Sequence, residues 1–147
     1  MNDLLGNLTA GVKSNSLEET RSIASSIAPM LPSDTVLCLN GPIGSGKTSF
    51  AAALAASLGV KETVTSPSYN LLSIHKAGTK TILHLDAYRL DDQANEDAFA
   101  LEDLMETPWL LVVEWAENVP ELLPTRRWEL FFEITGKNNR LIKLKAP

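Results

Sequence analysis

Apolar and polar positions along this chain follow two periods, one of helices and one of strands. Leu17, Ile23, Ala24, Ile27 and Leu31 recur at the spacing of a single helix face, and Ser16-Leu17-Glu18-Glu19 ahead of them is a capping box. A helix is therefore predicted over 17–31, ended by Pro32-Ser33-Asp34. Thr35 to Asn40 is an apolar run of strand length and reads as a buried strand. Thr48 to Leu58 is rich in Ala and Leu, with Gly59 as its stop, and predicts a second helix. Tyr69 to Lys76 and Lys80 to Leu85 read as strands, and the short turn Ala77-Gly78-Thr79 implies that they pair antiparallel. Asp91 to Met105 predicts two short helices, Leu110 to Glu114 another apolar strand, and Ala116 to Leu122 a helical segment limited by Pro120 and Pro124. Arg127 to Thr135 and Arg140 to Lys145 alternate as a hairpin around Gly136-Lys137-Asn138-Asn139. Residues 1–14 lack periodicity and are expected to be extended or loose.

These elements predict an α/β fold: a mixed, mostly parallel sheet with antiparallel strands, flanked by helices. A chain of 147 residues can bury one core, so 1–147 is read as a single domain.

The stretch Gly41-Pro42-Ile43-Gly44-Ser45-Gly46-Lys47-Thr48 joins the first apolar strand to the second helix and fits G-x-x-x-x-G-K-[ST], the phosphate-binding P-loop. Strand, glycine loop and helix come in the order the motif needs. Successive backbone N–H groups in such a loop cradle phosphate oxygens, and the helix N-terminus adds partial positive charge. Lys47 then neutralises the β- and γ-phosphates, and the Thr48 hydroxyl ligates Mg²⁺.

A nucleotide-hydrolysing site of this type also needs an acid at the carboxyl end of an apolar strand. Two fit: Asp86, ending Leu83-His84-Leu85-Asp86, and Glu114, ending Leu110-Leu111-Val112-Val113-Glu114. One is expected to hold the metal and the other to orient or deprotonate the attacking water. Glu114 follows the stronger apolar run and is favoured for Mg²⁺. Trp115 is either core filler or a wall near the nucleotide. Trp109 and Trp128 read as structural, and His75 and His84 as satisfied strand histidines. Val64-Thr65-Ser66-Pro67-Ser68-Tyr69 is either a switch-like loop reaching the γ-phosphate or a plain Ser-Pro turn. Arg89 is a paired structural arginine or a γ-phosphate contact. The chain has no Asn-Lys-x-Asp sequence, so ATP is favoured over GTP. An independent small-molecule phosphotransferase is the alternative function.

Composition narrows the class. Charged residues make up 21% and apolar ones 44%, as in soluble globular chains, and no apolar run approaches the ~18 residues a membrane helix needs. The first residues show no secretory signal, so no membrane association and a cytoplasmic location are expected. Cys38 alone excludes an internal disulfide and reads as buried and inert. Net charge is −5, which argues against a broad nucleic-acid footprint. Asp91 to Glu121 carries ten acidic residues and no Lys or Arg, either a solvated surface or a docking face for a basic partner.

Taken in order, the capping-box helix, the P-loop, Thr65-Ser66-Pro67-Ser68-Tyr69, His84-Leu85-Asp86-Ala87-Tyr88-Arg89-Leu90 and Val113-Glu114-Trp115 resemble the bacterial TsaE family, also called YjeE/YdiB, nearly end to end. The resemblance implies a small P-loop ATPase that acts with TsaB and TsaD partners in making threonylcarbamoyladenosine on tRNA. It implies that the chain does not itself transfer the carbamoyl group and meets tRNA only through the complex. By the same resemblance Ile43, Gly44, Ser45, Gly46, Lys47, Thr48 and Ser49 hold the phosphates, Thr48 and Glu114 the Mg²⁺, and Asp86 serves hydrolysis. Trp115 lies beside the site, Thr65 belongs to the switch-like loop, and Ser16, Leu17, Gly136 and Lys137 fall near the base. The chain departs from the family pattern at Pro42, which replaces an acid and has no N–H to offer phosphate, and at Ala52 and Ala116, where a basic residue and a proline are common.

Overall fold

The computed structural model describes residues 3–61, 72–88 and 101–147. The loop around Thr65, Arg89 and the first of the two helices expected within 91–105 lie outside the described residues; Leu101–Leu104 forms a single helical turn.

The first described residues are structured, not loose. Helix α1 spans Leu4–Ala10, capped by the Asp3 carboxylate, which accepts from the Gly6 N–H at 2.9 Å. Strand β1, Val12–Ser14, follows at once. The expectation for residues 1–14 is thus corrected over Leu4–Ala10, while Val12–Ser14 is extended. One buried side chain, Leu8, anchors α1, which is too little to show as a periodicity. Helix α2 runs Leu17–Ile27 and tightens into a 3₁₀ turn at Ala28–Met30, where the sequence predicts one helix to residue 31. Pro29 lacks the N–H that an α-helical turn needs there. The capping box forms in a shifted version: Ser16 Oγ accepts from the Glu19 N–H, and Glu19 reaches back to the N–H of Asn15.

Strands β2 (Thr35–Asn40), β3 (Leu72–Ala77), β4 (Lys80–Asp86), β5 (Trp109–Glu114), β6 (Trp128–Ile134) and β7 (Arg140–Lys145) complete a seven-stranded sheet in the order β1-β7-β6-β2-β5-β4-β3. The four central strands β6, β2, β5 and β4 run parallel, and the outer pairings β1–β7, β7–β6 and β4–β3 are antiparallel. The fold is the mixed α/β arrangement expected. Helix α3, Lys47–Leu58, packs with α1 and α2 on one face of the sheet, against Leu37, Leu39, Val112, Leu130 and Ile142. The alternate residues Val36, Cys38, Leu83, Leu85 and Val113 face a second cluster closed by Leu101, Ala116 and Val119. Burial on both faces is why β2 and β5 read as unbroken apolar runs. It also pushes the Cys38 thiol up to about 12, which keeps it inert. No helix among the described residues is long and apolar enough to cross a membrane.

The consequence for chemistry is positional. β2, β4 and β5 are parallel and in register, so their carboxyl ends share one edge: Leu39 lies beside Glu114, and Glu114 beside Asp86. The loop leaving β2 opens on that edge.

Candidate functional site

That loop, residues 41–46, turns the chain from β2 into α3. Gly44 and Gly46 take φ +81° and +99°, and a Cβ at either would meet nothing within 4 Å. Glycine is required there by backbone conformation and not by space. Gly46 is the N-cap of α3, so Lys47 and Thr48 occupy its first turn, where main-chain N–H groups have no helical partner.

Lys47 is 5% exposed, and its Nζ donates to the Gly41 carbonyl and lies 3.7 Å from the centroid of the Trp115 ring. Burial draws its pKa down, while the carboxylates of Glu114, Glu117 and Asp86 oppose that shift. Thr48 Oγ1 donates to Glu114 at 3.0 Å (Oε1) and 3.3 Å (Oε2). Glu114 is itself 3% exposed, and Oε2 also meets His84 Nε2 at 2.5 Å. Asp86 accepts from the Tyr88 N–H at 3.1 Å, and the Ala87 N–H donates to the Glu114 carbonyl, so the ends of β4 and β5 are tied together. Trp115 has φ +59°, a backbone conformation uncommon for a bulky residue. It turns the chain sharply after Glu114 and lays the indole beside Lys47, with the Tyr88 ring 5.0 Å away.

Ile43, Gly44, Gly46, Lys47, Thr48, Ser49, Asp86, Glu114 and Trp115 thus line one open cleft of about 450 Å³, with Tyr88 on its rim. Ile43 stands at the loop tip, 67% exposed. A second cleft of about 330 Å³ adjoins it through Gly46 and is lined by Leu17, Ser16, Ser45, Asn138 and Arg140. Lys137 is exposed in the β6–β7 turn beside Asn138. Thr65 lies outside the described residues. Trp115 packs on the second core cluster and also lines the cleft.

Three residues at the site carried no role in the sequence reading. His84 finds a partner through Nε2 alone, and that partner is Glu114. Alternation along β4 puts it on the face of Asp86, two residues before the edge, and that much was legible in the sequence. Tyr88 belongs to the stretch His84–Leu90 that carries the family resemblance, but had no role of its own. Arg140 holds the loop from β7, and nothing local in sequence announces a contact across 95 positions.

A family model described as "Threonylcarbamoyl adenosine biosynthesis protein TsaE" matches residues 14–142. Among curated relatives, proteins named tRNA threonylcarbamoyladenosine biosynthesis protein TsaE are similar to this chain. The one from Bacillus subtilis strain 168 is 31% identical, over 88% of this chain and 80% of its own length. That from Treponema pallidum strain Nichols is 30% identical, over 88% and 95%. The crystal structure of Bacillus subtilis YdiB superposes with a TM-score of 0.76 at 27% identity, covering 92% of this chain and 84% of that one.

Proposed function

Because the chain belongs to the TsaE family, we propose that it is an ATP-binding and slowly ATP-hydrolysing subunit required, with TsaB and TsaD homologues, for threonylcarbamoyladenosine modification of tRNA. In this reading it works in the cytoplasm as one ATPase domain over 1–147, meets tRNA only through the complex, and leaves the carbamoyl transfer to its partners. The observation that carries the reading is the meeting of Thr48, Glu114 and Lys47 at the mouth of the loop, with Asp86 in register beside Glu114.

The donors fit a hard divalent ion. The Thr48 hydroxyl and Glu114 carboxylate are oxygen ligands in contact, and Mg²⁺ favours oxygen while keeping several of its own waters. Thr48 and Glu114 would hold the ion, which would supply charge to offset that developing on the phosphates. The chain supplies the rest. The backbone N–H groups at the start of α3 and the Lys47 ammonium hold the β- and γ-phosphates. Ser49 lines the same wall. Asp86 orients a water for attack on the γ-phosphorus and takes its proton as the new P–O bond forms and the bond to the β-phosphate oxygen breaks. Trp115 shields Lys47 from solvent. The Leu17 cleft, with the turn bearing Lys137, receives the base, and Thr65 belongs to the loop that senses the γ-phosphate.

With Lys47 the one cation lining the phosphate cleft among the described residues, hydrolysis by the chain alone is slow. The test is free-phosphate release from ATP and Mg²⁺, alone and with TsaB and TsaD homologues. A slow rate that partners change is expected, and equal rates with and without them sink the partnership. ATP consumed without free phosphate favours a phosphotransferase. Calorimetry showing no Mg²⁺-dependent uptake of adenine nucleotide at millimolar concentration overturns the whole reading.

A further inference from the structure

Arg140, on β7, donates to four carbonyl oxygens. Two belong to the phosphate loop: Gly44, from Nη2 at 3.0 Å, and Ser45, from Nε at 3.2 Å. The other two belong to the β6–β7 turn: Gly136 at 3.2 Å and Asn139 at 2.9 Å, both from Nη1.

The loop needs such a hold. Gly44 and Gly46 have open space where a Cβ would stand, so neither adds side-chain packing against rotation of the peptide planes on either side of Ser45. Glycine makes such rotations cheap. In a trans peptide the C=O and N–H point in opposite directions. Anchoring the Gly44 and Ser45 oxygens therefore also sets the Ser45 and Gly46 N–H groups. The Ser45 N–H closes a turn on the Pro42 carbonyl at 3.2 Å, and the Gly46 N–H is left facing away from the guanidinium. A planar fork with five donors can grip both oxygens and the turn at once, which an ammonium cannot.

We propose that Arg140 is a positioning residue: it holds the phosphate loop in its receptive shape before any nucleotide arrives, and ties that shape to the β6–β7 turn. The proposal rests on the reading of the loop as a phosphate site. Two measurements test it on Arg140→Ala and Arg140→Lys. One is the amide spectrum and hydrogen exchange of Gly44, Ser45 and Gly46 in the nucleotide-free protein. The other is the dissociation constant for ADP by calorimetry. Arg140→Ala is expected to shift those amides and speed their exchange, and to weaken ADP about tenfold, the worth of one charge-assisted hydrogen bond. Millimolar ethylguanidinium should restore part of the affinity. Arg140→Lys should fall between wild type and Ala in both readouts. Arg127→Ala also removes a guanidinium that donates to a carbonyl, Pro124 at 3.0 Å, and should leave ADP affinity unchanged. Unaltered amides in Arg140→Ala, or full recovery in Arg140→Lys, overturn the proposal, the latter because charge alone would then suffice. If wild-type protein binds no ADP, the nucleotide reading fails, and the amides still decide whether Arg140 shapes the loop.

Discussion

Nε2 of His84 lies 2.5 Å from Oε2 of Glu114, and the two side chains are only 2% and 4% exposed. The histidine Nδ1 is buried with no hydrogen-bond partner among the described residues, so the bond to Glu114 is the ring's polar tie. Glu114 is thereby held from both sides, by His84 on β4 and by Thr48 on α3. Removing His84 leaves Glu114 with Thr48 as its remaining side-chain donor, and leaving a buried acceptor short of a partner costs about 1–3 kcal/mol. His84→Ala is therefore expected to lose about that much stability in urea denaturation and to slow phosphate release. His84→Gln keeps a donor near the position of Nε2 and should lose less of both. A His84→Ala protein as stable as wild type would show that the pair holds nothing.

Asp86 and Glu114 stand side by side in register, yet they occupy different surroundings. Glu114 is sealed against Thr48 and His84, and Asp86 is half-buried at the cleft. Different roles follow. Asp86→Asn should keep Mg²⁺-dependent nucleotide affinity and lose about 10²–10⁴-fold in hydrolysis, the usual worth of a positioned base. Glu114→Gln should instead abolish the difference between affinities measured with and without Mg²⁺. Trp115 fluorescence reports binding in each variant, because the indole sits over Lys47. Wild-type hydrolysis in both variants removes the acids from the mechanism.

Much of this arrangement is legible in the sequence, for physical reasons. The strands β2 and β5 are buried on both faces, and only apolar runs survive there, so they stood out, as did the acids that end β4 and β5. The hairpins β3–β4 and β6–β7 were marked by glycine turns between alternating segments. What escaped depends on distance in sequence. Arg140 reaches the loop only because β7 pairs with β6 and β6 with β2. His84 meets Glu114 only because β4 and β5 pair parallel. The contribution of α1 was hidden because a seven-residue helix with one buried side chain has no repeat to read.

That one side chain gives a stability prediction. Leu8 is fully buried in the core cluster that also holds Ile27 of α2, Leu130 of β6 and Ile142 of β7. Truncation to alanine removes buried apolar volume that neighbours from three elements cannot refill. Leu8→Ala should cost about 2–5 kcal/mol in chemical denaturation. Leu5→Ala, on the exposed side of the same helix, should cost less than about 1 kcal/mol. Equal effects would mean that α1 does not dock as described.

Lys47 predicts opposite pH trends for stability and for nucleotide affinity. Its pKa in the folded free protein is drawn below 10.5, chiefly by burial. Between that lowered value and 10.5 the unfolded chain binds more protons at this residue than the folded one. Stability therefore rises with pH through this window, and the cost of burying the ammonium is fully present below it. Bound phosphate favours the charged lysine and lifts its pKa, so nucleotide binding in the same window takes up a proton. Affinity for ADP should then fall as pH rises, while the free protein grows more stable. Lys47→Met cannot titrate and should lose both trends, and the two are read by calorimetry in buffers of different ionisation enthalpy and by denaturation across the same pH series. If proton uptake in the wild type matches that of Lys47→Met, the buried ammonium is not what meets the phosphates.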